Sequence, residues 1–169
     1  MKVTQQRLKE VLNYNPETGV FVWIKPTANS VRVGDLAKSK NATGYICIHL
    51  DNVNYLAHRL AWLYMNGEFP KGFIDHINCE RSDNRFCNLR VATHSQNMQN
   101  QHLRKTNKSG YKGVSWCKTT NKWQAQCTVG GKKYQLGRHE KIEDAVSAVR
   151  EFREMAHGDF ANHGVKDAS

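Results

Sequence analysis

A carboxylate and an imidazole stand side by side at Asp75-His76, directly after the short apolar run Phe73-Ile74, so the sequence predicts that both side chains leave the end of a strand. Twelve residues past His76 comes Asn88, in Asn88-Leu89-Arg90, and nine further on comes Asn97. Thr93 stands three residues before Gln96 in the Ser/Thr-x-x-Gln form of a capping box, which puts Asn97 near the start of a helix. A strand with a carboxylate and a base, a polar hairpin and a helix returning one more oxygen ligand outline a one-metal site for phosphodiester chemistry. Cys79 and Cys87 with His76 and His94 form a rival zinc set. Their spacing matches neither Cys-x2-Cys nor His-x3-His, and zinc there would consume the base.

Elements must hold these groups in place. Thr4 is suited to cap a helix running to about Asn13, with Leu8, Val11 and Leu12 on one face. Residues 15–19, Asn-Pro-Glu-Thr-Gly, turn the chain, and 20–24 and 45–50 read as strands around a polar segment, 25–43, that the pattern does not place. Leu56, Leu60, Leu63 and Tyr64 mark a second helix, stopped by Gly67 and Pro70. On that helix His58 reads as a packed, hydrogen-bonded residue. Arg59 reads equally as a phosphate contact or a surface charge.

With these residues in view, the chain resembles the HNH nucleases, in the variant with Asn in the last motif position found in phage and intron-encoded homing endonucleases. The resemblance runs back to about Leu8 through Leu12-Asn13-Tyr14-Asn15-Pro16-Glu17-Thr18-Gly19, Gly44-Tyr45 and His58-Arg59-Leu60-Ala61-Trp62. It implies that His76 is the general base, that Asp75 and Asn97 hold a divalent metal, and that Asn88 braces the hairpin so that His76 is aimed. Asn97 in place of His suits a hard, oxygen-preferring ion, so Mg2+ is expected, with Mn2+ as a substitute.

The whole chain sets broader limits. At 169 residues it is one ordinary domain or two small ones, and its hydrophobic share of 39% suffices for a core. No apolar run approaches the roughly 18 residues of a membrane span, and the charged, amphipathic start is not a signal peptide. A cytoplasmic, reducing setting is therefore expected, with the five cysteines as free thiols. The net charge of +10 is concentrated: from 104 to 138 there are nine basic residues (Arg104, Lys105, Lys108, Lys112, Lys118, Lys122, Lys132, Lys133, Arg138) and no acidic one. They alternate with Tyr111, Trp116, Trp123 and Tyr134, the pattern of a face that positions itself on phosphates.

Residues 99–108 are polar and basic and read as a linker that tracks DNA. Beyond it, 113–116, 122–129 and 133–137 read as three short strands with turns at 119–121 and Gly130-Gly131, followed by a helix from about Glu143 to Gly158. From about 108 to 162 this half is similar to the APETALA2-type DNA-binding domain, on Tyr111-Lys112-Gly113-Val114, Trp123-Gln124-Ala125, Leu136-Gly137 and the Ala145/Ala148 helix. The resemblance implies a sheet lying in the major groove. By alternation its outward set is drawn from Lys112, Trp116, Lys118, Lys122, Gln124, Gln126, Lys133 and Gln135.

The expected architecture is thus α+β: a nuclease domain over 1–103 with a ββα-metal core at about 73–102, a basic linker at 104–108, a three-stranded antiparallel sheet plus one helix over 109–162, and a tail at 163–169. The expected function is that of a site-specific, metal-dependent endonuclease of the homing type. It acts on double-stranded DNA as a monomer, nicks one strand, takes no small-molecule substrate and works in the host cell of a phage or mobile element. Candidate DNA contacts are Arg59, Lys105 and Lys108 together with the outward set. The alternative is a non-catalytic DNA-binding regulator that keeps a relic nuclease half.

Overall fold

A computed structural model describes residues 2–103 and 106–164. The fold is mixed α and β, with four α-helices and several small sheets among the described residues, and the chain divides into two compact units, Met1–Thr93 and His94–Ser169. The partition falls earlier than the basic stretch at 104–108 where the composition changes. The short helix α3 (His94–Gln99) therefore groups with the second unit; it buries none of its own residues and packs on the 3₁₀ turn Gly158–Phe160. Among the described residues, no helix is long and apolar enough to cross a membrane.

In the first unit α1 (Gln5–Val11) starts where Thr4 accepts the Arg7 amide on its Oγ1 at 3.2 Å, as its type and position predict. It ends sooner than the spacing suggests. Leu12 turns extended and opens β1 (Leu12–Asn15), which pairs antiparallel with β2 (Val20–Trp23) across the Asn-Pro-Glu-Thr-Gly turn. Leu8, Val11 and Leu12 are all buried, so the apolar spacing is satisfied by a helix-to-strand transition as well as by a longer helix. The unplaced segment contributes the two-residue β3 (Ser39–Lys40) and an isolated bridge of Leu36 to Val22; β3 pairs with β4 (Ile46–Leu50), which pairs with β5 (Val53–Leu56).

The helix α2 (Ala57–Asn66) follows β5 directly and stops at Gly67, whose φ of 84° suits a residue without a Cβ. Leu60, Ala61 and Leu63 face Leu8, Val11, Leu12, Ile48 and Leu50, and these side chains form the core of the unit. Tyr14, Phe21 and Tyr64 close one side as a ring cluster, with Tyr14 and Phe21 stacked at 4.6 Å. A two-stranded antiparallel ribbon, β6 (Phe73–His76) with β7 (Leu89–Ala92), joins this core through Ile74 and Leu89.

The second unit holds β8 (Val114–Cys117), β9 (Lys122–Val129) and β10 (Lys132–His139) in one antiparallel sheet of order β10-β9-β8. One face is covered by α4 (Ile142–His157), with Val114, Ala125, Ala145 and Val149 as a small buried core. The Arg153 side chain of α4 is buried as well, and its guanidinium donates to the Lys112 carbonyl at 3.3 Å.

Candidate active site

Asp75 and His76 are the last two residues of β6, and both are 4% exposed. Cross-strand pairing sets Asp75 opposite Arg90 of β7, and the arginine Nε and Nη2 both contact Asp75 Oδ2 at 2.8 Å. A carboxylate this deeply buried needs a counter-charge, and Arg90 supplies one within the same ribbon. The sequence pattern does not single out Arg90; its one signal is its place one residue into the strand that pairs back on the Asp-His strand.

The loop from 77 to 88 is held by its own polar side chains. Asn88 Oδ1 accepts the Asn78 amide at 3.0 Å, while Asn88 Nδ2 donates to Asn78 Oδ1 and to the Asp83 carbonyl, each at 2.9 Å. Asn78 Nδ2 donates to Asp83 at 2.7 Å, and Arg85 contacts the same carboxylate at 2.9 and 2.6 Å, which pushes the Asp83 pKa down to about 2. The Cys79 amide donates back to the His76 carbonyl at 2.8 Å, with Cys79 in the left-handed region at φ 62°. Asn88 thus spans the loop from one end to the other.

Another asparagine reaches the imidazole itself. Asn84, 2% exposed, places Oδ1 3.3 Å from His76 Nε2. The His76 ring also lies edge-to-face with His58 of α2, centroids 5.0 Å apart, and 5.9 Å from Tyr45. Burial lowers the His76 pKa, opposed by the Asn84 hydrogen bond and by Asp75, Asp83 and Glu80. Burial pushes His58 further, to about 3, with His76 and Arg59 adding to the effect. His58 is packed as its pattern suggests, but its Nδ1 has no hydrogen-bond partner among the described residues. Both imidazoles are held neutral, the form that accepts a proton or a metal.

Arg59 is engaged within the first unit. Its guanidinium donates to the carbonyls of Gly72 and Pro70, each at 3.2 Å, and so ties α2 to the chain entering β6. Asn97 is half-buried, the fourth residue of α3, in the second unit.

Among the described residues no three His, Cys, Asp or Glu side chains gather as a ready-made metal cluster. The Asp75 carboxylate, whose Oδ2 takes both Arg90 contacts, is of the donor type that suits a hard divalent ion. Cys79 and Cys87 are not joined in a disulfide.

In the second unit, cross-strand pairs decide which side chains share a face. Ser115 pairs with Gln124 and Cys117 with Lys122; Gln126 pairs with Gln135, and Thr128 with Lys133. These project from the face opposite α4, because the alternate positions Ala125 and Cys127 are buried. Lys122, Gln124, Gln126, Lys133 and Gln135 therefore stand on the open face, where Gln124 Nε2 donates to Gln135 Oε1 at 2.9 Å.

Trp116 does not stand there. It pairs with Trp123 and meets that ring at 5.1 Å on the helix side, because alternation in β8 runs from the buried Val114. Lys118 lies in the β8–β9 turn. Lys112 precedes the sheet and its ammonium donates to the Asn162 carbonyl and Oδ1 at 3.1 and 2.9 Å. Lys108 is exposed ahead of the sheet, whereas Lys105 lies outside the described residues.

Simple alternation also misses one cation. The β9–β10 register shifts between Gln135 and Gly137, leaving Leu136 and Gly137 together on the helix side, so Arg138 pairs with Gln124 on the open face.

A buried carboxylate-imidazole pair at the end of a ribbon, with a polar loop fastened over it, defines a class of metal-assisted nucleases. The family model "HNH endonuclease" matches residues 55–99, covering α2, β6, the loop, β7 and α3. The chain is also 36% identical over 105 residues to "Protein 3.8" of Escherichia phage T7, a stretch that is 62% of this chain and 86% of that protein. No solved structure matches. The chain belongs to the HNH endonuclease family and is a phosphodiester hydrolase acting on DNA.

Proposed function

We propose that the chain is a site-specific, metal-dependent endonuclease of the homing type that nicks one strand of double-stranded DNA. The observation that carries this reading is the adjacency, on one buried strand, of a neutral imidazole and a carboxylate already fixed by an arginine. His76 takes the proton from a water as that water attacks the scissile phosphorus. Burial keeps His76 unprotonated and so ready to act as base near neutral pH. Asp75 would hold the divalent ion, with Mg2+ preferred and Mn2+ accepted. That ion supplies charge neutralisation at the phosphate and at the departing 3′ oxygen. The products are a 5′-phosphate and a 3′-hydroxyl. Asn88 acts by holding the loop in place.

The second unit supports an APETALA2-like role, its open face entering the major groove with Lys122, Gln124, Gln126, Lys133, Gln135 and Arg138. Lys108, Lys112 and Lys118 are proposed as phosphate contacts, as is Lys105, which lies outside the described residues. The ββα-metal description of 73–102 and the reading of 109–162 as a separate recognition domain belong to the same proposal. One Asp75-His76 pair serves one scissile phosphate, which favours a monomer that nicks. Kinship with a phage protein supports action in the cytoplasm of the phage's host.

The test is a supercoiled plasmid bearing one selected site, incubated with Mg2+ and, separately, with EDTA. A persistent open circle with Mg2+ alone supports the proposal. Linear product without an open-circle phase would replace nicking by concerted double-strand cleavage. Tight site binding without any cleavage would point to a regulator.

A further inference from the structure

The loop over the active strand carries two arginines, and they are held differently. Arg85 is spent on the Asp83 carboxylate. Arg81 is exposed and has no carboxylate partner among the described residues. Its Nη1 donates to the Thr43 carbonyl at 2.8 Å, and its guanidinium lies over the Tyr45 ring at 5.1 Å. The turn that receives it is itself fastened. Asn41 Oδ1 accepts from the Thr43 amide, the Thr43 hydroxyl and the Tyr45 amide at 3.1, 2.8 and 2.9 Å, and the Asn41 amide donates to the Tyr45 carbonyl at 3.0 Å. One guanidinium nitrogen is thus anchored, and the others keep donors to offer.

The ring under Arg81 also touches the active strand. Tyr45 lies 5.3 Å from the His58 ring and 5.9 Å from the His76 ring, centroid to centroid. The guanidinium is therefore within about 11 Å of the His76 imidazole, a reach of roughly three nucleotides at about 3.4 Å of strand each. A second cation joins it. A Cβ built on Gly44 would meet Lys40 Cε at 3.9 Å and Arg81 Cδ at 4.0 Å, so both stems converge on one turn. Lys40 is exposed and likewise has no carboxylate partner among the described residues. A strap between the loop and the turn needs a single donor and no second cation. Two exposed cations on a fastened turn beside the base suit a phosphate.

We propose that Arg81 and Lys40 bind one backbone phosphate of the strand being cut, within about three nucleotides of the scissile bond, and so set the register of that strand over His76. A guanidinium already stacked on Tyr45 and tied to Thr43 loses little freedom when a phosphate arrives, and its remaining N–H groups match the oxygens in a plane. The contact reads no base. It therefore acts on every sequence alike and leaves site choice to other surfaces. The proposal rests on the reading of His76 as the cleaving base, and its binding test is run where no cleavage occurs, so the two ideas fail separately.

The experiment uses the full chain and a duplex bearing one selected site, with affinity measured against salt in EDTA and single-turnover cleavage of bound DNA measured in Mg2+. Arg81→Gln should lower the log-log salt slope by about 0.9. It should also slow cleavage of bound DNA roughly 10- to 100-fold, the scale of a hydrogen bond to a charged group. Arg81→Lys keeps the cation without the stacked fork, so it should retain the slope and recover part of the rate. Single methylphosphonates, which remove one backbone charge each, locate the contact. One position within about three nucleotides of the cut should weaken wild-type binding and leave Arg81→Gln indifferent. An unchanged slope in Arg81→Gln, an unchanged rate of cutting bound DNA, or a wild-type response to every methylphosphonate would overturn the proposal. Lys40→Gln breaks no hydrogen bond among the described residues and carries the same slope and methylphosphonate tests if Arg81→Gln does not fold. Wild-type protein that binds and does not cut would refute the reading of His76 instead.

Discussion

The two units put polar groups to opposite uses. In the first, His58, Asp75, His76, Asn84 and Asn88 are buried in or against an extensive apolar core. In the second, the buried apolar set is small, and the glutamines, lysines and Arg138 of one sheet face point to solvent. The difference teaches where each unit's specificity resides. A reacting group must be held in one orientation and one protonation state, which burial and fixed partners provide. A face that meets a long polyanion needs accessible donors in register more than it needs depth.

The largest effect expected on this contrast comes from removing the base. His76→Ala should lower cleavage by roughly 10²- to 10⁴-fold while leaving DNA affinity nearly unchanged, and a folded variant that cuts at the wild-type rate would dissolve the distinction between the units. Arg90→Ala removes the cross-strand counter-charge of the buried Asp75 and should cost about 3 to 5 kcal/mol in urea unfolding of the full chain. The corresponding loss of charge at the exposed Arg138 should barely move that curve.

The buried histidines sharpen the contrast by their pH dependence. The His58 pKa is held at about 3, below its unfolded value, so between those limits the unfolded chain binds a proton that the folded chain does not. Stability is therefore fully present above about pH 6.5 and falls as the pH drops toward 3, by on the order of a few kcal/mol. His76 is depressed as well and acts in the same direction, so His58→Gln should flatten that limb in part, as denaturation midpoints measured at several pH values would show.

On the other side of the contrast, Lys122→Ala, Lys133→Ala and Arg138→Ala should each reduce the log-log salt slope of DNA affinity by about 0.9 for every phosphate left without its cation, with cleavage of bound DNA unchanged. A slope that stays at the wild-type value in all three would move the DNA-binding surface off this face. The smallest change is Tyr14→Phe, which removes one buried hydrogen bond to the Asn84 carbonyl and should cost about 1 kcal/mol by the same unfolding assay.

Legibility in the sequence follows how local each determinant is. Thr4 as a cap, Gly67 as a stop and Asp75-His76 at a strand end depend on neighbours a few residues away, and each stands where its type and spacing put it. β1 is hidden because Leu8, Val11 and Leu12 satisfy a helical repeat whether or not the helix continues. Residues 25–43 carry no period because their structure is a two-residue strand, one bridge and turns. Arg90 and Asn84 leave no local mark because their roles depend on register and on a contact from β1, seventy positions away in the case of Tyr14 and Asn84. Alternation applied without the strand pairing puts Trp116 in the outward set, whereas its face is set by the pairing with Trp123.

The bulge at Leu136-Gly137 has a consequence for how this chain could change over generations. Leu136 is the extra residue, set between the pairs Gln135–Gln126 and Gly137–Ala125. Losing its codon would leave a regular ladder in which Arg138 still meets Gln124, at the cost of one side chain packed under the helix. Losing a codon from the unbulged β9 has no such slack, and every side chain on one side of the gap would change faces. The end of β10 is therefore where descendants of this chain can differ in length while presenting the same cation to a partner.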